Sequence, residues 1–284
     1  MRSIGSQGSG NGQFSSGNCF VAVDAEGNLV VSDLGNHRIQ VLRYCDGAHL
    51  RTIGGPGSGN GQFSSPFGFA FDSAGHILVA DYNYHRVQML RYSDGAHVRT
   101  IGSQGNGNGQ FSYPTSVACD GAGNFAVFDY GNARVQVFRL SDGAHLRSMG
   151  SKGSGNGQFG GSWGFLLFDA EGNLVVSDWN NHRIQVLRYS DGAHLRTIGG
   201  QGPGSGQFSN PFGFAFDGAG HILVAEYSNH RVQMLRYSDG AHVRTIGSNG
   251  SGNGQFSCPH GVAVDGEGRV VVCEWSNHRV QVLE

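Results

Sequence analysis

An arginine returns along this chain at positions 38, 86, 134, 183, 231 and 279, in steps of 48, 48, 49, 48 and 48 residues. Each time it closes the same kind of run, as in Gly27-Asn28-Leu29-Val30-Val31-Ser32-Asp33-Leu34-Gly35-Asn36-His37-Arg38-Ile39-Gln40-Val41. A fixed period of this size outranks any local reading, because such units bury their apolar faces only by stacking on one another. Six units of about 48 residues use nearly all of the 284, so 1–284 is expected to be a single domain.

One unit shows what each part can become. Gly57-Ser58-Gly59-Asn60-Gly61-Gln62 is a polar loop, and Phe63 closes it, as Phe14, Phe111, Phe159, Phe208 and Phe256 do elsewhere. That phenylalanine is expected to plug the space between adjacent units. Phe69-Ala70-Phe71 reads as a short strand whose small residue suits the crowded centre of a ring. Asp72-Ser73-Ala74-Gly75 is turn chemistry, and the apolar run Ile77-Leu78-Val79-Ala80 is a strand covered on both faces. Arg86-Val87-Gln88-Met89-Leu90 alternates with period two, Ser93-Asp94-Gly95-Ala96 is a hairpin turn, and His97-Val98-Arg99-Thr100-Ile101 is a polar edge strand.

Four hairpin-linked strands per unit, six times over, predict an all-β six-bladed β-propeller of four-stranded antiparallel blades. The run Gly27–Val41 and its five copies resemble the NHL repeat, named for an Asn-His-Leu core that here is mostly Asn-His-Arg. The resemblance spans the whole chain and implies the propeller fold; it does not specify a function. The opening Arg2-Ser3-Ile4-Gly5 matches the edge strand Arg51-Thr52-Ile53-Gly54, and the chain stops at a third strand, Arg279–Leu283. A Velcro closure by the N-terminal strand is therefore expected, which leaves no open seam in the ring.

A two-fold pattern overlies the six-fold one. Residues 66–102 and 211–247 differ only at Ser73/Gly218, Asp81/Glu226, Asn83/Ser228 and Tyr84/Asn229. Units one and four share one extra residue between the loop phenylalanine and the turn acid, expected as a β-bulge in the inner strand, around Asn18–Val23 and Trp163–Phe168.

Positions repeated in every unit are read as scaffold. An acid five residues before the arginine gives six brace pairs: Asp33 with Arg38, Asp81 with Arg86, Asp129 with Arg134, Asp178 with Arg183, Glu226 with Arg231 and Glu274 with Arg279. Paired in this way, the acids are spent as metal ligands. The His37 set is interrupted by Ala133 and its members lie a blade apart, so no metal is expected there. The glycine loops lack the Lys-Ser/Thr of a phosphate-binding loop. Five cysteines, none at a recurring position, read as free thiols in a reducing, cytoplasmic setting.

Two rings of positions do vary, and both fall on the face carrying the loops before strand one and between strands two and three. The inner ring is Asn18, Phe67, Thr115, Trp163, Phe212 and His260. The second is Leu34, Tyr82, Tyr130, Trp179, Tyr227 and Trp275, with Tyr84 as an added aromatic. Clustered Tyr and Trp are the usual anchors of a binding surface. The candidate ligand-binding residues are therefore Phe67, Trp163, Phe212, His260, Tyr82, Tyr84, Tyr130, Trp179, Tyr227 and Trp275.

These readings favour a monomeric, non-catalytic module that binds a protein or peptide and needs no cofactor. The resemblance adds a second candidate, because some NHL propellers at the end of tripartite-motif proteins bind single-stranded RNA on this face. A net charge of −2 and arginines committed to the repeat argue against a phosphate-binding surface. Lyases that resemble the fold hold a metal with histidines and acids, but the inner ring offers His260 alone. No apolar run is long enough to cross a membrane. The near-identity of the halves keeps open an amplified or engineered scaffold without a selected ligand.

Overall fold

The computed structural model describes residues 1–283 apart from 16, 18 and 19. It contains six four-stranded antiparallel sheets set as blades in a ring. Blade two runs Pro66–Phe71, His76–Asp81, Arg86–Arg91 and His97–Ile101, innermost strand first. The sixth blade takes its outer strand from the start of the chain: Arg2–Ile4 pairs antiparallel with Arg279–Leu283, Arg2 opposite Val282 and Ile4 opposite Val280.

Residues at the ring axis are large. Phe20 of blade one and Phe165 of the opposite blade four approach to 4.9 Å between ring centroids, and Phe69 and Phe214 join them at 4.9 and 5.2 Å. The expectation of a small residue at the centre is thus reversed in blade two, where Phe69 reaches the axis and Ala70 packs outward between blades. Glycine provides the clearance instead: a Cβ on Gly68 would stand 2.7 Å from the Thr115 carbonyl of the next blade.

The bulge expected in blade four is not in its inner strand, and the described part of the blade-one inner strand, Val21–Val23, also pairs without a shift. In blade four Leu166–Phe168 pairs with Leu174–Val176 without a shift, and the extra residue lies in the loop before the strand. In the pairing of the inner strand with the second, register shifts fall in the other four blades, next to the proline that opens each inner strand (Pro66, Pro114, Pro211, Pro259). Proline cannot donate to the ladder, so the ladder slips beside it. The blade-one counterpart, Asn18–Cys19, lies outside the described residues.

Phe63 is fully buried between blades, and a Cβ on Gly54 would fall within its ring. Phe63→Ala is expected to cost about 3–5 kcal/mol, the usual range for truncating a core phenylalanine. Denaturant unfolding measures it, and an unchanged midpoint would refute the packing role.

On the face bearing the strand one–two turns, adjacent blades are locked by three side chains. A tyrosine after strand three gives its hydroxyl to the turn acid of the preceding blade: Tyr92 to Asp24 (2.7 Å), Tyr189 to Asp120 (3.1 Å), Tyr237 to Asp169 (2.8 Å) and Tyr44 to Asp265 (2.5 Å). An edge-strand arginine covers each ring, with Arg51, Arg147 and Arg196 at 4.1–4.2 Å from the centroid and Arg2 at 5.5 Å. Burial opposes ionisation of Asp265, but donors from Tyr44, Arg269 and two backbone N–H groups hold its pKa down to about 2. A carboxyl depressed in the folded state stabilises above its unfolded pKa, about 4, and that contribution is lost as pH falls through about 2. The melting temperature of wild type should therefore drop more steeply between pH 4 and 2 than that of Asp265→Asn; parallel curves would contradict the assignment.

Candidate aromatic binding face

The opposite face is built on the brace. Asp81 Oδ2 accepts from Arg86 Nε at 2.8 Å and Oδ1 accepts from the Ser64 amide at 2.7 Å. The Arg86 guanidinium also donates to the carbonyls of Ser58, Gly59 and Gln62 in the glycine loop. Buried Gln88 completes the tie, donating to the Gln62 carbonyl at 2.6 Å and accepting from the Gly61 amide at 2.9 Å. Arg38 on Asp33, Arg134 on Asp129 and Arg183 on Asp178 repeat the pair at 2.8–3.0 Å. Arg231 on Glu226 and Arg279 on Glu274 close to 2.5 and 2.6 Å.

From this base a 3-10 turn carries the second ring, Tyr82–Tyr84 in blade two, and ends in a left-handed residue, His85 with φ 52°. The left-handed backbone aims the imidazole at the next blade, where His85 Nδ1 accepts the Tyr113 amide at 3.0 Å. His37, His182 and His230 make the same bond to Ser65, Asn210 and Cys258 at 3.1–3.2 Å. The repeated histidine is thus an inter-blade staple.

The ten candidate aromatics divide into a floor and a rim. Phe67, Phe212 and His260 are 2%, 1% and 0% exposed, and form the floor, with His260 stacked on Phe212 at 3.8 Å. Thr115 is buried with them, its hydroxyl given to the Gly164 carbonyl. Asn18 lies outside the described residues. The half-buried rim includes Tyr130, stacked on Tyr82 at 6.2 Å, and Trp163, with the floor residue Phe67 touching both Tyr82 and Trp163. Trp163, Trp179, Tyr227 and Trp275 then close a four-membered ring of contacts at 5.3, 5.0, 5.7 and 5.6 Å. Burial raises the Tyr82 pKa, and nearby Trp163 opposes that shift. Burial, helped by Cys258, pushes the Tyr227 hydroxyl up to about 12. Leu34 is half-buried and packs on the central core. Tyr84 is exposed beneath the Arg86 guanidinium.

Tyr113 belongs to this face and was missed by the sequence reading. It is 38% exposed and touches Tyr82 at 4.9 Å and His85 at 4.4 Å. The signal was available: Ser65, Tyr113, Asn210 and Cys258, each before a strand-opening proline, differ from blade to blade and share a positive φ.

Charge is missing from the loops that make the face. Segments 64–67, 82–85, 112–115, 130–133, 160–163, 179–182, 209–212, 227–230, 257–260 and 275–278 contain no Asp, Glu, Lys or Arg. The single lysine, Lys152, lies beside Gly161 at the margin. Among the described residues no three His, Cys, Asp or Glu side chains gather as a metal site. No helix is long and apolar enough to cross a membrane.

Ring closure, blade number and strand order define a six-bladed β-propeller. NHL repeats match residues 20–42, 63–89, 208–234 and 256–283, that is, blades one, two, five and six of this propeller. No curated sequence matches the chain. Its fold resembles a protein of unknown function from Bacteroides thetaiotaomicron VPI-5482, with TM-score 0.73 and 17% identity over 99% of this chain and 75% of that one. It also resembles a chain of the nidogen–laminin complex (TM-score 0.69, 16% identity, 90% and 89% covered). A third likeness is to virginiamycin B lyase from Staphylococcus aureus (TM-score 0.64, 13% identity, 94% and 80% covered). At these identities the likeness is one of fold.

Proposed function

We propose that the chain is a non-catalytic binding module that takes a protein or peptide segment on the aromatic face and acts as a monomer. The observation that carries this is the array Tyr82, Tyr113, Tyr130, Trp163, Trp179, Tyr227 and Trp275, part-exposed on loops that the brace holds rigid. Large side chains with few rotatable bonds give contact area at little entropic cost, which is why Tyr and Trp dominate interface anchors. The uncharged loops suit a neutral segment. They also weigh against RNA, whose affinity depends on phosphate contacts that these loops do not supply, although the same rings could stack bases.

Selection from a displayed random-peptide library tests the reading, with a randomised single-stranded RNA pool run beside it at near-physiological salt. Selected peptides should bind wild type and lose at least about tenfold in affinity, on the order of 1.4 kcal/mol, with Tyr82→Ala/Trp179→Ala/Trp275→Ala of unchanged melting. Peptides indifferent to the triple variant would remove the aromatic face as the site. RNA binding that the variant abolishes would replace the peptide reading, and no binding of either would leave a scaffold without a ligand on this face.

A further inference from the structure

The opposite face holds a second recess, independent of the aromatic site. Four blade junctions carry the lock of turn acid, edge-strand arginine and tyrosine. At the junction of blades two and three the acid and the arginine are present, as Asp72 and Arg99, but Leu140 stands where the tyrosine belongs. The sixth blade's counterpart of that tyrosine would follow Glu284 and lies outside the described residues.

The substitution leaves hydrogen-bonding capacity at a defined atom. In the locked junctions the outer carboxylate oxygen accepts twice: Asp24 Oδ2 from Asn28 and Tyr92, Asp120 Oδ2 from Asn124 and Tyr189, Asp169 Oδ2 from Asn173 and Tyr237. Asp72 Oδ2 accepts from His76 Nδ1 at 2.8 Å and from no tyrosine hydroxyl, since nearby Tyr92 gives its hydroxyl to Asp24. Arg99 keeps the anchor that its counterparts use, donating to the Leu140 carbonyl at 3.3 Å as Arg2 does to that of Tyr44 at 2.7 Å. Its guanidinium is therefore held for a ring that this blade does not provide. The recess measures about 750 Å³, and Phe71, Met89, Val98 and Leu140 give it an apolar wall. The comparable recess between blades four and five, about 690 Å³, includes Tyr237 and Arg196 in its lining.

We infer that the Asp72–Arg99 recess is a recognition site for a phenol ring supplied from outside the chain. The ring would lie under Arg99 and give its hydroxyl to Asp72, in the arrangement that Tyr92, Tyr189 and Tyr237 adopt at their own junctions. The phenol is either a tyrosine side chain of a partner or a free small phenol.

The test is titration of the whole chain with p-cresol, N-acetyl-tyrosinamide and toluene, followed by NMR at Leu140, His76 and Arg99. The p-cresol dissociation constant should be on the order of millimolar for so few atoms. Toluene, lacking the hydroxyl, should bind roughly tenfold more weakly. Leu140→Tyr should abolish binding and raise the melting temperature, because it restores the lock. Tighter binding of N-acetyl-tyrosinamide than of p-cresol assigns the site to a tyrosine side chain, and the reverse order assigns it to a free phenol. Asp72→Asn, which turns a donor toward the hydroxyl, should erase the preference for p-cresol over toluene; this variant decides the matter should Leu140→Tyr not fold. Equal affinity for toluene, undiminished binding in Leu140→Tyr, or no shift up to the solubility of p-cresol would overturn the inference.

Discussion

Removal of residues 1–5 is expected to lower the melting temperature by roughly 10–20 °C, the shift that about 5 kcal/mol produces in a domain of this size. The sixth blade would lose its outer strand, Arg2–Ile4, and expose the edge of Arg279–Leu283. Ile4, only 5% exposed and packed with Val280 and Val282, would go with it. So would the Arg2 contact with the Tyr44 carbonyl, which ties blade six to blade one. Several small losses coincide at one seam, and the freed edge is also a template for association. Thermal melting with a light-scattering readout checks both effects; an unchanged melt would mean that the ring does not depend on this strand.

The second large effect concerns the brace. Asp81→Ala removes a fully buried carboxylate and leaves Arg86 and the Ser64 amide to find other partners. Breaking one side of a buried pair costs about 3–5 kcal/mol, most of it the penalty for the charge left behind. Arg91 and Asp94 are the internal control: their bond is as short, 2.7 Å, but their side chains are 58% and 48% exposed. Water screens such a pair, so Arg91→Ala should be indistinguishable from wild type by urea unfolding. Equal losses in the two variants would show that pairing distance, not burial, sets the energetics.

Much of this architecture is legible in the sequence because a propeller repeats its instructions. The period fixes blade number, but the alternation of Arg86–Leu90 reads as a half-buried strand, whereas Val87, Gln88, Met89 and Leu90 are all buried, Gln88 because it bonds the glycine loop laid over that face. What the sequence hides is contact across the ring. Phe67 and Phe212 stand 145 residues apart and meet at 5.5 Å, so neither one's local context shows that it is floor and not rim. Tyr113 is a partial case: its varying position before a strand-opening proline can be read in the sequence, but not its left-handed backbone, whose amide bonds His85 of the neighbouring blade. The extra residue in blade four could go into the strand or the loop before it, and only packing against the axis decides between them.

The uncharged loops have a kinetic consequence. With the loop segments of the aromatic face uncharged and the brace arginines each paired to an acid, little guides an approaching molecule into orientation, and association should proceed at the unsteered rate of about 10⁵–10⁶ M⁻¹s⁻¹. Added salt has little there to screen. Affinity at such a surface is then set almost wholly by residence time, that is, by how slowly water re-enters beneath the tryptophans.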